Sequence, residues 1–263
     1  MTTINRFAKY LANTQATLLT VPLGYALVGL LLAISSGFGN WLVGIVYFLF
    51  LFVSYIEQLL YQKADKMPKK GLIITVSALN VVMVLCVLFL AVQAGVRIAV
   101  MLLLYVVVQN ADYYKYQLEN KRLYSSVVII KDVFRAGLLN MAAYYLFTKT
   151  LSLALVWALL PIVALYIAFR WILGARAAYD ELFARFRYSS VFKYLFVPVV
   201  YAVTFLLYWS HFSLLGMLVF LITSTLYASY WINRNRWNEN HKLAYLNNAY
   251  FVIVLVYGVF YYL

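Results

Sequence analysis

Residues 72–93 read LIITVSALNVVMVLCVLFLAVQ, an apolar run without a single charged side chain. A helix of that length covers the roughly 30 Å of hydrocarbon in a bilayer. Lys69 and Lys70 stand just before the run and Arg97 just after it. Outward from this stretch, similar runs fill the rest of the chain. The expected spans are 15–35, 41–60, 72–93, 97–111, 124–147, 151–173, 191–209, 213–232 and 244–263. The fourth is short. The sixth ends near Arg170, whose long side chain is expected to reach toward a headgroup layer.

Composition agrees with that pattern. The chain is 66% hydrophobic and 11% charged, and its mean hydropathy is +0.87. A soluble domain of this size carries far more charge on its surface. Backbone groups in lipid must be satisfied within the spanning structure, which leaves helices or a closed barrel. Continuous apolar runs without strict alternation exclude the barrel. The expected fold class is therefore all-α: a polytopic membrane protein of nine transmembrane helices, with residues 1–263 forming a single transmembrane domain.

Lys and Arg are distributed unevenly over the gaps. The N-terminus and the gaps at 61–71, 112–123, 174–190 and 233–243 carry fifteen of them, while the opposite gaps carry only Arg97 and Lys149. By the positive-inside rule the N-terminus and the basic loops face the cytoplasm, and after nine spans the C-terminus lies outside. The net charge of +13 is then mainly a topology signal. Short basic loops beside a membrane do not suit nucleic acid, so no nucleic-acid partner is expected. Anionic headgroups or a diphosphate suit them better. Residues 6–38 have the basic, apolar, small-residue order of a signal peptide, but eight further spans favour an uncleaved first helix. Cys86 is the single cysteine and lies mid-span, so no intrachain disulfide is expected.

The outer gaps are tight, and the inner ones hold most of the polar residues. Chemistry on a charged ligand is therefore expected at the cytoplasmic mouth. Many of the 25 tyrosines cluster at span ends, where an interfacial aromatic belt accounts for them; lining for a flat or isoprenoid ligand is the other reading. The two histidines, His211 and His241, fall in gaps on opposite sides of the membrane and cannot share a metal. No metalloprotease, dithiol or glycine-rich phosphate motif is present.

Three constellations are candidates. Glu57, Tyr61 and Asp65 are spaced i, i+4, i+8 at the end of the second span, so one helix face carries all three. A carboxylate inside a span is costly, which makes Glu57 a functional candidate. The alternative is a hydrated Glu57 near the interface, with Asp65 pairing with Lys63 or Lys69. Between the sixth and seventh spans, Arg176, Asp180, Glu181, Arg185 and Arg187 read as a short amphipathic helix, which by itself also fits a surface helix on the headgroups. In the fifth span, Lys131 and Arg135 lie one helical turn apart, suited to clamping a phosphate. Asp132 between them equally suits a structural ion pair.

These features resemble the UbiA-type intramembrane prenyltransferases. That family has nine spans, an inside N-terminus and polar cytoplasmic loops after spans two and six. Its Asn-Asp-x-x-Asp-x-x-x-Asp motif at the end of span two is similar in spacing to Glu57-Gln58-x-x-Tyr61-x-x-x-Asp65, and the basic, Pro-containing Lys66-to-Lys70 segment follows. Thr17, Pro22, Gly29 and Ala33 give the first span a similar texture, and Tyr124 followed by Lys131 is similar to the opening of the family's fifth span. In the first motif only Asp65 is identical. Tyr61 stands where the family has an acid, and the second acidic motif is reduced to Asp180 and Glu181.

The resemblance implies a polyprenyl transferase or a catalytically reduced relative. It would take an isoprenoid diphosphate or a quinone-type lipid in a cavity open to the cytoplasm. Glu57 and Asp65 would hold one Mg²⁺, and Asp180 and Glu181 the other. Lys131, Arg135 and Arg185 would neutralise the diphosphate; Tyr61 or Tyr124 would shield a carbocation or bind the aromatic, quinone-precursor acceptor. Two other classes fit the same sequence. One is a non-catalytic membrane subunit binding quinone or lipid, for example in quinone-linked electron transfer. The other is a small-solute transporter. Each would be an integral protein of a membrane, with a bacterial cytoplasmic membrane as the expected location.

Overall fold

Long apolar runs with few glycines or prolines leave the backbone one economical way to satisfy itself in lipid, and the chain takes it. The computed structural model describes residues 10–34, 40–62, 68–111, 121–173, 179, 195, 199 and 214–262, and among these the secondary structure is helical with no strand. The helices are α1 (Thr17–Gly24), α2 (Leu27–Ala33), α3 (Trp41–Gln62), α4 (Lys69–Ala94) and α5 (Val96–Asn110). Next come α6 (Lys121–Val133), a π-helical turn (Phe134–Leu138) and α7 (Leu139–Thr148), which run on without a break. Then follow α8 (Leu153–Leu173), α9 (Leu214–Asn233), a 3₁₀ turn (Arg234–Arg236) and α10 (Glu239–Tyr262).

Among the described residues, four helical segments are long and apolar enough to cross a membrane: Trp41–Tyr61, Lys70–Ala94, Leu153–Ile172 and Glu239–Val259. The helix Val96–Asn110 is apolar but short, as its sequence suggests. The seventh expected span, 191–209, lies almost wholly outside the described residues. The outer face of α4 bears out the membrane reading. Ile74, Val81, Leu85, Leu88 and Val92 recur at helical spacing and are all strongly exposed. Such a stripe is a liability in water, and lipid is the solvent that suits it.

The first expected span departs from a single helix. Pro22 lies inside α1 and has no N–H for the preceding turn. The chain then tightens, Tyr25 N donating to the Pro22 carbonyl and Ala26 N to that of Leu23, before α2 begins. Gly95 alone joins α4 to α5, with φ 91°, a left-handed conformation that suits a residue without Cβ.

The helices close into a ring. α3 packs on α4 and α4 on α5; α5 meets α7; α6 and the π turn meet α8; α8 meets α10; α10 meets α1 and α2; and α1 returns to α3. α2 also lies tightly along α7. There the Gly29 N–H donates to Asn140 Oδ1 at 3.0 Å, and a Cβ on Gly29 would collide with the Asn140 carbonyl. The interior is largely apolar, but polar side chains gather within it near the ends of α3, α5, α6 and α8.

Candidate functional site

Charge inside an apolar bundle is tolerated only where it is paired, so the pairing reveals the site. Asp132 has no exposure at all, and its carboxylate is the hub. Arg135, one turn on, reaches Oδ1 through Nη1 at 3.4 Å. Arg170, from the last turn of α8, reaches Oδ2 through Nε at 3.3 Å. The Tyr179 hydroxyl donates to the same Oδ2 at 2.9 Å, and its ring stacks on Trp171. Both guanidinium distances exceed the usual range for charge-assisted bonds. Two cations therefore lean on one carboxylate, and the described cluster carries an excess of positive charge.

Arg135 sits in the π turn. The Leu139 N–H donates to the carbonyl of Phe134, five residues back, and that widened turn is what defines the segment. Its Nη2 donates to Gln109 Oε1 at 2.6 Å, while its buried Nε has no hydrogen-bond partner among the described residues. Gln109 Nε2 in turn donates to the Ser54 carbonyl at 3.2 Å, so α3 and α5 are tied into the network. Tyr105 stands beside them, its hydroxyl 3.4 Å from both Gln109 Oε1 and Ser54 Oγ.

A second knot forms where α3, α4 and α5 meet. Glu57 is fully buried. Its Oε1 accepts from Asn80 Nδ2 at 3.0 Å and lies 3.3 Å from the Tyr61 hydroxyl. That hydroxyl has one proton to share with Asn110 Oδ1, 3.1 Å away. Asn80 and Asn110 bond each other in both directions, at 2.9 and 2.7 Å. Glu57 is thus buried rather than hydrated, and Tyr61 ties it to the neighbouring helices.

Of the residues singled out in the sequence, Glu57 and Tyr61 come together as expected, and Arg135 pairs with Asp132. That pair is the one the ion-pair reading of the fifth span expects. Lys131 is buried, at 3% exposure, beside them in sequence. Tyr124 falls in α6, but its side chain lies outside the described residues, as do Asp65, Asp180, Glu181 and Arg185. Arg170 departs from its expected place: it turns inward to Asp132 because a buried carboxylate offers more than a headgroup layer to a guanidinium at that depth. Asn80, Gln109, Asn110 and Tyr179 were not anticipated. The signal for the three amides was their position inside or at the end of otherwise apolar runs.

Mg²⁺ takes about six oxygen ligands in near-octahedral order. Around Glu57 the described donors offer one carboxylate with an engaged oxygen and amides that bond each other. No group of three or more His, Cys, Asp or Glu stands together among the described residues. These donors do not make a Mg²⁺ site by themselves.

Beside Arg170 a small recess, with room for about one water, lies between α8 and α10. Tyr166, Arg170, Leu243, Leu246, Asn247 and Tyr250 line it. Tyr166 anchors its wall: its hydroxyl lies 3.0 Å from that of Tyr25, and its ring centroid lies 5.0 Å from that of Tyr250.

No family model, no curated protein and no solved structure matches this chain. Its assignment rests on the membrane-type helices and on the buried polar clusters within them.

Proposed function

We propose that this protein is a divergent UbiA-like membrane protein that binds an isoprenoid diphosphate or a quinone-type lipid beneath the inner ends of its helices. The proposal includes nine spans, a cytoplasmic N-terminus, an outside C-terminus and a bacterial cytoplasmic membrane. The observation that carries it is the Arg135–Asp132–Arg170 cluster, where two guanidiniums share one carboxylate inside the bundle. Uncompensated positive charge in a low-dielectric interior is expensive, and an anionic head group relieves that cost. Prenyl transfer to an aromatic acceptor belongs to the proposal so far as Asp65, Asp180 and Glu181 join Glu57 to supply the oxygens that Mg²⁺ requires.

A second reading, a non-catalytic quinone- or lipid-binding subunit, is favoured by Tyr61. Where the resembling motif has an acid, this chain has a hydroxyl that bonds Glu57 and Asn110. Binding of a prenyl diphosphate to purified protein, with and without Mg²⁺, tests both. Mg²⁺-dependent binding that collapses in Glu57→Gln and Asp65→Asn supports the transferase. Binding indifferent to Mg²⁺ and to both carboxylates supports the non-catalytic reading, and no binding of a diphosphate or a quinone refutes the function proposed here.

A further inference from the structure

We infer that the recess between α8 and α10 is a lateral binding site for the phosphate of a lipid head group, distinct from the Glu57 knot. Three independent features converge on it. The first is an unused donor. Tyr250 lines the recess and is 3% exposed, yet its buried hydroxyl has no hydrogen-bond partner among the described residues. Buried hydroxyls are rarely left so, because each forfeits the water it had in the unfolded chain.

The second feature is charge. Among the described residues the Arg170 guanidinium is engaged through Nε alone, on a carboxylate it shares with Arg135. Arg170 also lines the recess, and its planar guanidinium has further N–H donors to offer an anion there. The excess of cation over carboxylate selects an anion over a neutral carbonyl.

The third is depth and access. Arg170 lies in the last turn of α8, which ends at Leu173, and Asn247 about two turns into α10, which starts at Glu239. Both helices are among those long enough to span a bilayer. The recess therefore lies near one end of both helices, at the level that headgroups and glycerol occupy in a bilayer. Leu243 and Leu246 offer apolar contact for an acyl or prenyl chain. The recess admits about one water, room for a single phosphate oxygen beside Tyr250 and Arg170. Arg234, Arg236 and Lys242 lie near the start of α10 and favour anionic lipid at that end.

Such a phosphate comes from a bilayer phospholipid or from an isoprenoid phosphate, and the test separates the two. Delipidated full-length protein in detergent is titrated with phosphatidylglycerol, phosphatidylcholine, a polyprenyl monophosphate and inorganic phosphate, with bound species read by native mass spectrometry. The variant is Tyr250→Phe, which removes only the unpartnered hydroxyl. Its lipid-free unfolding temperature is expected to equal or exceed that of the wild type, so a folding defect does not enter. Its affinity for the preferred phosphate-bearing lipid is expected to fall about tenfold, the worth of one good hydrogen bond to a charged group. Asn247→Leu is expected to weaken binding in the same direction. Preference for phosphatidylglycerol over phosphatidylcholine assigns the site to a bilayer lipid; preference for the polyprenyl monophosphate assigns it to the isoprenoid. Unchanged affinity in Tyr250→Phe, or inorganic phosphate binding as well as any lipid, overturns the inference. The inference shares Arg170 with the function proposed above. Tyr250→Phe and Asn247→Leu leave the Asp132 cluster intact, so failure of the inference is distinguishable from the failure of that function.

Discussion

At the scale of single residues, Asp132 has the most at stake. Its carboxylate is the one anion shown between Arg135 and Arg170, and removing one partner from a buried ion network leaves uncompensated charge. Asp132→Asn is expected to cost about 3–5 kcal/mol, seen as a large fall in the unfolding temperature in detergent. Adding Arg135→Gln restores the original charge excess and should recover part of that loss, a coupling that a double-mutant cycle reads directly. Tyr61 offers a complementary test. Tyr61→Phe removes a shared hydrogen bond and should cost about 1 kcal/mol. Tyr61→Asp puts an acid where the UbiA-type motif has one. Mg²⁺-dependent binding of a prenyl diphosphate should rise in that variant under the transferase reading, and an unchanged response would count against it.

At the scale of elements, the contact between α2 and α7 fixes the middle of the bundle. Gly29 faces the backbone of Asn140, which cannot move aside without displacing α7. Gly258 of α10 faces the flexible end of Leu31, which can change rotamer. Gly29→Ala is therefore expected to destabilise by about 1–3 kcal/mol or more, and Gly258→Ala by clearly less. Equal effects in thermal unfolding would contradict this account of the contact.

At the scale of the whole molecule, the helix ring and the basic loops lead to a topology that fusions can check. Alkaline phosphatase joined after Leu263 should be active in a bacterial host, and fused within the 112–123 loop it should be silent. The reverse pattern would invert the proposed orientation and place the polar clusters at the outer surface.

How much of this was legible beforehand differs by kind of residue. Glu57, Lys131 and Arg135 stood out because a full charge within an apolar run is too costly to be accidental. Asn80, Gln109 and Asn110 cost less to bury, so they left a fainter trace. Arg170 sat at a span end where two destinations were open, a headgroup or an inward partner. Nothing along the chain tells that α8 brings it to Asp132.

By itself, the sequence determined that this is a helical protein suited to a membrane, and where most of its helices run. Apolar transfer free energy accumulates residue by residue along the chain, so it can be read in one dimension. Only the tertiary structure decided which buried polar groups meet: Asp132 with two arginines, Glu57 with two asparagines and a tyrosine, and Tyr250 with no partner. Those pairings depend on which helix faces turn toward each other and at what depth, and hydrogen bonds and charges act only over the few ångströms that such packing brings together.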